Sequence, residues 1–147
     1  MAPRSEVPDT TVLITVIRRP ELWLEFRKGL RSGRTWLSTV VVAELYAGTR
    51  SRDEAAVIGR LLASMGSRGH ILVPTSEEWA RAGQLIARRT RPHGELRPRD
   101  HLADLLILLS AARLKGTVVT ANVRHFAPWL RLAGSAGFDV TVTPFGG

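Results

Sequence analysis

The sequence contains no cysteine, which excludes disulfides and thiolate metal sites. It also lacks any long apolar run, and nothing approaches the roughly 18 to 20 residues that a membrane-spanning helix needs. Residues 1–6 hold neither an apolar core nor a small-residue cleavage site, so no secretory signal is visible and a cytoplasmic protein is expected. Negative charge is in short supply. Lys and Arg number 21 against 13 Asp and Glu, a net charge of +8 and a pI near 11.4, which favours a polyanionic partner such as nucleic acid or an acidic protein. Arginine supplies most of the excess, in clusters at Arg18-Arg19, Arg88-Arg89-Arg91 and Arg97-Arg99, and guanidinium forks suit phosphate oxygens. A solvated basic surface explains any one cluster equally well.

What remains is the composition of one globular domain spanning residues 1–147. Hydrophobic residues make up 44% and mean hydropathy is zero, and a chain of this length can bury most of the surface its unfolded form exposes. Strand and helix signals alternate. A short strand ends near Asp9, and residues 10–18 read as a helix. Pro20 opens a second helix that Gly33 stops, with Trp23, Phe26 and Leu30 on one face. Residues 34–38 read as a buried strand, after which Ser38 caps a helix running to Gly48. Residues 53–65 predict a further helix and His70–Val73 a strand. Thr75 and Glu78 have capping-box spacing, with Pro74 and Trp79 placed as a staple, and that helix is expected to end near Arg89. Residues 90–99 read as a loop, Asp100 as the cap of the helix containing Asp104, and residues 117–120, 126–132 and 138–142 as strand, helix and strand. Such alternation predicts a three-layer α/β/α sandwich around a mostly parallel sheet, in which ligands bind beyond the carboxyl ends of the strands.

Three acids stand in surroundings that argue for chemistry. Asp104 interrupts the apolar run from Ala103 to Ala112, Glu44 sits in Val40-Val41-Val42-Ala43-Glu44-Leu45, and Asp9 precedes Val12-Leu13-Ile14. An isolated carboxylate in an apolar setting takes up a proton or finds a cation, and a metal ion is the strongest cation available. Together the three suggest one acidic pocket. Each has a plainer alternative: Asp9 as a turn or N-cap residue, Glu44 and Asp104 as arginine partners inside the fold.

At these residues a resemblance appears. Asp9-Thr10-Thr11-Val12-Leu13-Ile14 resembles the opening motif of PIN domains, and the segment from Ser38 to Gly48 is similar to their second acidic motif. Asp104-Leu105-Leu106-Ile107 and Thr120-Ala121-Asn122-Val123-Arg124-His125-Phe126 resemble the later two, in the family's order and spacing. The small single domain looks most like the VapC toxins of type II toxin-antitoxin pairs. The resemblance implies a metal-dependent endoribonuclease on an α/β/α fold, silenced by a cognate antitoxin protein and commonly a homodimer. Asp9, Glu44 and Asp104 would hold Mg²⁺ or Mn²⁺, hard ions suited to carboxylate and water oxygens. The chain departs from the family pattern at His125, where many members have a fourth acid, and at Thr11, where Asn is usual.

The remaining candidates keep two readings each. His125 can ligate a metal, bind phosphate or act as an acid. Asn122 orients an acid or water, or stabilises a turn; Arg124 contacts phosphate, or is solvated surface. Thr11 bonds a neighbouring acid or water. Asp100 caps a helix or, one turn before Asp104, extends the pocket. Thr120 reads as supporting. His70, His93 and His101 read as surface or loop residues, the four Trp as core, and the apolar stripe on the second helix as an antitoxin site or a core-facing face. Two other functions compete with the nuclease: a module that binds RNA or an antitoxin without cleaving, and a phosphoryl-transfer receiver domain. The helical setting of Glu44 and the absence of a Lys near the last strand argue against the latter.

Overall fold

Five short strands, all paired in parallel, form the spine of the computed structural model, which describes residues 3–94 and 97–146, with the side chains of residues 91–93 excepted. They are β1 (Glu6–Pro8), β2 (Leu37–Ser38), β3 (Ile71–Leu72), β4 (Thr117–Thr120) and β5 (Thr141–Pro144). β4 lies between β1 and β5, with Val7 opposite Val118 and Val118 opposite Val142; β2 pairs with β3. The two groups meet through one bridge, Glu6 to Thr35, in which Glu6 N–H donates to the Arg34 carbonyl and Trp36 N–H to the Glu6 carbonyl. Backbone groups alternate sides along a strand, so the next N–H facing β2 would belong to Pro8, which has none. Pro8 therefore limits the junction to that bridge. On the other side the ladder continues, with Asp9 N–H donating to the Val119 carbonyl at 2.9 Å.

Seven helices connect and cover these strands: α1 (Thr10–Arg18), α2 (Pro20–Ser32), α3 (Thr39–Ala47), α4 (Arg52–Ser67), α5 (Ser76–His93), α6 (Leu102–Arg113) and α7 (Val123–Ser135). Local chemistry sets most of their ends. Asp9, Ser38 and Ser51 accept backbone N–H bonds as N-caps, and Thr75 and Glu78 form the full capping box. Gly33, at φ 77°, supplies the left-handed stop after α2. α6 is the central helix. Leu105 through Ala112 are all buried, and Ser110 satisfies its hydroxyl on the Leu106 carbonyl at 2.5 Å. Gly116 allows the following turn to pass under β1, since a Cβ there would stand 2.7 Å from the Ser5 carbonyl oxygen.

Several boundaries differ from the sequence expectation. α5 runs on to His93 rather than ending near Arg89, because Pro92 falls in its last turn and the stop comes from Gly94 at φ 85°. Asp100 does not cap α6. It ends a 3₁₀ turn (Pro98–Asp100), and His101 occupies the cap position without a side-chain bond. α7 begins at Val123, three residues earlier than expected. β5 begins at Thr141 rather than Phe138, because Phe138 N–H closes α7 on the Ala133 carbonyl and is lost to the ladder. The stripe on α2 faces inward: Phe26 is buried, and Leu22, Trp23 and Leu30 pack against the core. The exposed apolar residue on that helix is Leu24.

Candidate active site

Reading across the sheet, the strands run β3-β2-β1-β4-β5, so chain order reverses between β1 and β4. Adjacent loops diverge at such a switch point and leave a crevice at the carboxyl ends of the strands. Asp9 follows β1 at that point, and Ala121 and Asn122 follow β4.

Asp9 is 5% exposed and has no arginine or lysine within ion-pair distance among the described residues. Hydroxyls do the work instead. Thr11 Oγ1 donates to Asp9 Oδ1 at 2.5 Å, the Val12 N–H to the same oxygen at 3.2 Å, and Thr120 Oγ1 to Oδ2 at 2.6 Å. Both hydroxyls are fixed from the far side, Thr11 by accepting the Ala121 N–H and Thr120 by accepting the Asn122 N–H. Each has thus committed its proton to the carboxylate and its lone pair to the β4–α7 turn. A buried carboxylate bonded in this way is held in one orientation with acceptor capacity remaining.

Thr10, between the two, reaches in another direction. Its Oγ1 donates at 2.6 Å to Oε1 of Glu44, an exposed residue on α3. Asp104, in the first turn of α6, receives His125 Nε2 on Oδ2 at 2.6 Å. Burial pushes the Asp104 carboxyl above the ordinary carboxylate range; His125 opposes that, Asp9 adds to it, and His101 opposes it. Asp9 and Asp104 are therefore within electrostatic reach of one another.

The arrangement consists of linked pairs. Asp9 is held by Thr11 and Thr120, Glu44 by Thr10, and Asp104 by His125; among the described residues no three His, Asp or Glu side chains converge closely enough to form a metal-holding group. Among the described residues none of the three acids takes an arginine partner; the arginine ion pairs go to Glu54, Glu78, Asp100 and Asp139. Asn122 is exposed, and its side chain makes no cap bond on α7. Arg124 is exposed beside it. Asp100 is exposed and paired loosely with Arg99 at 3.9 Å, outside the pocket.

Three residues have roles that sequence reading passed over. Thr10 carries the bond that ties Glu44 to the Asp9 turn. His101, read as surface or loop, packs its ring 5.1 Å from that of Trp129 and acts on Asp104; its position one helical turn before Asp104 was the available signal. His70, likewise read as surface or loop, stacks on Trp36 at 4.3 Å and bonds the Thr35 carbonyl. The side chain of His93 lies outside the described residues. Trp79, expected in the core, is 51% exposed.

The sequence matches the PIN domain family over residues 7–127. The chain belongs to that family. Two solved structures share its fold. One is titled as the DNA-bound VapBC from Salmonella typhimurium, with 21% identity, a TM-score of 0.67, and coverage of 96% of this chain and 98% of that one. The other is VapBC2 from Rickettsia felis bound to a DNA fragment from its promoter, with 15% identity, a TM-score of 0.61, and coverage of 95% and 98%. Among curated proteins none matches the chain in sequence. Membership places the chain in a family of nucleases. Among the described residues no helix is long and apolar enough to cross a membrane.

Proposed function

We propose that this PIN-domain protein is a metal-dependent endoribonuclease, the VapC-type toxin of a type II toxin-antitoxin pair. The observation that carries the proposal is Asp9: a buried carboxylate at the switch point, held by two hydroxyls and within electrostatic reach of Asp104, whose carboxyl burial raises. Burial and the like charge of Asp9 both disfavour the ionised form of Asp104, and a bound cation would relieve this as a proton or the His125 imidazole does. The donor chemistry suits Mg²⁺ or Mn²⁺, since carboxylates are the preferred oxygen ligands of both.

Asp9, Glu44 and Asp104, which stand apart as linked pairs, would have to draw together to hold the ion. When bound, it would polarise a phosphodiester and lower the pKa of a water for in-line attack. The protein's own residues do the rest. Thr11 and Thr120 keep Asp9 from rotating, Thr10 does the same for Glu44, and outer contacts of this kind tune metal sites strongly. Arg124 and Asn122, exposed at the start of α7, are placed to meet the RNA backbone. The net charge of +8 draws a polyanion toward the crevice. A cognate antitoxin and a homodimer are proposed from likeness to the VapBC complexes and the VapC toxins.

The test is incubation of the purified protein with total RNA and Mg²⁺ or Mn²⁺, with chelator and Asp104→Asn as controls. Cleavage that needs the metal and the carboxylate supports the proposal, and unchanged cleavage by Asp104→Asn removes the assigned site. One observation favours a second reading: His125 Nε2 already bonds Asp104 Oδ2 at 2.6 Å. On that reading the protein binds RNA or an antitoxin without cutting, and binding without metal-dependent cleavage distinguishes it.

A further inference from the structure

A groove of about 540 Å³ opens beside the candidate active site, between α3, α5 and α6. Glu44 and Ala103, the neighbour of Asp104, line it, so it adjoins the acids. Val73, Pro74, Trp79 and Arg99 line it as well. Val73 and Trp79 are 56% and 51% exposed, and an exposed indole with an exposed valine beside it is informative where isolated apolar residues are not.

The indole stands on a rigid base. Trp79 lies in the first turn of α5, directly after Glu78, which closes the capping box with Thr75 and pairs with Arg113 through contacts of 2.8 and 3.0 Å. Arg113 also donates to the Val73 carbonyl at 2.7 Å. Val73 and the turn that carries Trp79 are therefore tied to one guanidinium, and a surface aromatic anchored this way meets a planar ligand with little ordering cost. Arg99 also lines the groove, with its side chain 79% exposed and a 3.9 Å contact to Asp100.

We propose that this groove is a nucleobase subsite: an unpaired base of the RNA strand, next to the phosphate at the acids, stacks on Trp79 while Arg99 meets a neighbouring phosphate. The assignment rests on the nuclease reading and adds where the strand lies. Single-stranded RNA is recognised through this combination of an aromatic face and a cationic neighbour. The overall charge favours a strand as occupant: a chain of +8 attracts a polynucleotide and brings the same net sign to a second copy.

The experiment compares binding of a short mixed-sequence single-stranded oligoribonucleotide with that of an abasic strand of equal length, in chelator so that no cleavage occurs. Trp79→Ala is expected to weaken the base-bearing strand by about 5- to 150-fold, the range for loss of one stacked base, with the abasic strand unaffected and Trp79→Phe recovering most of the loss. Arg99→Gln is expected to weaken both strands alike. Half-exposure of Trp79 makes misfolding an avoidable confusion, and circular dichroism of each variant checks it. Equal binding by Trp79→Ala and the parent overturns the subsite while leaving metal-dependent cleavage of total RNA, measured separately, to judge the nuclease reading. A parent dimer that Trp79→Ala dissociates in sedimentation shows that the groove holds a second copy and also overturns it.

Discussion

His125 Nε2 lies 2.6 Å from Asp104 Oδ2. The contact places an imidazole, half-exposed on α7, against one of the three candidate ligands, at the position where many relatives of the PIN type are expected to carry an acid. His125→Asp removes a competing donor and adds a charge to the cation site. It is expected to tighten Mn²⁺ binding by about tenfold, the scale of neighbouring contacts on metal affinity, and to raise cleavage, both measured against the parent by calorimetry and RNA turnover. Unchanged or lower activity would give the imidazole a role of its own.

Asp104→Asn should act in opposite directions on activity and stability. Loss of a ligand carboxylate is expected to cost more than the roughly 10- to 100-fold that a supporting residue costs. The metal-free fold should gain. Because burial raises the folded pKa of Asp104, the folded state binds a proton more readily than the unfolded one, so stability falls as pH rises from the ordinary carboxylate value through the raised one. Thermal melts in chelator should show the Asn variant more stable at neutral pH, with the gap closing toward pH 3.8, the ordinary value. A less stable variant at neutral pH would refute the argument.

Thr120→Val keeps the shape of the side chain and deletes the hydroxyl on Asp9 Oδ2. A buried carboxylate left short of one donor should cost about 1–3 kcal/mol of stability, read by denaturant titration. Mn²⁺ affinity should drop by about 10- to 100-fold, and Thr120→Ser should restore both. If metal affinity stays the same, Asp9 is not a ligand.

Glu54 supplies a pH test away from the site. Arg18 Nε binds Glu54 Oε2 at 2.9 Å, and the Arg50 N–H donates to Oε1 at 2.8 Å. Chiefly through the Arg18 bond, the carboxyl is held down at about 2. A depressed folded pKa stabilises above the unfolded value, and that contribution disappears as pH falls from about 4.5 toward 2. Glu54→Gln is therefore expected to be less stable than the parent at pH 7 and equal to it near pH 2, by thermal melts across the range. A constant difference at all pH values would contradict the ion pair.

Features with local causes were legible before the fold. Ser38, Thr75 with Glu78, Pro20 and Gly33 announce helix ends through bonds or backbone angles that involve only neighbours in sequence, and those ends were found where expected. The parallel sandwich followed from alternation, and the positions of Asp9 and Asn122 after strands followed with it. Features that depend on other elements were not. Nothing near Thr10 says that Glu44 will be its partner, and His101 gains importance only when α7 brings Trp129 and His125 beside α6. Pro92 reads as a breaker, yet a proline in a last turn disturbs little of a helix. Trp79 shows a further limit: periodicity marks an apolar position without saying whether another element covers it.

Asp9 and Asp104 make unequal demands on any descendant of this chain. The Asp9 carboxylate also caps α1 through the Val12 N–H, a bond worth about 0.5–2 kcal/mol, so its removal harms the scaffold along with the chemistry. Asp104 strains the scaffold that carries it. On the proposed nuclease reading, a lineage drifting toward inactivity would find its easiest route at Asp104, and a homologue retaining Asp9 but with Asn or Ser at that position would fold better than its parent while no longer cleaving.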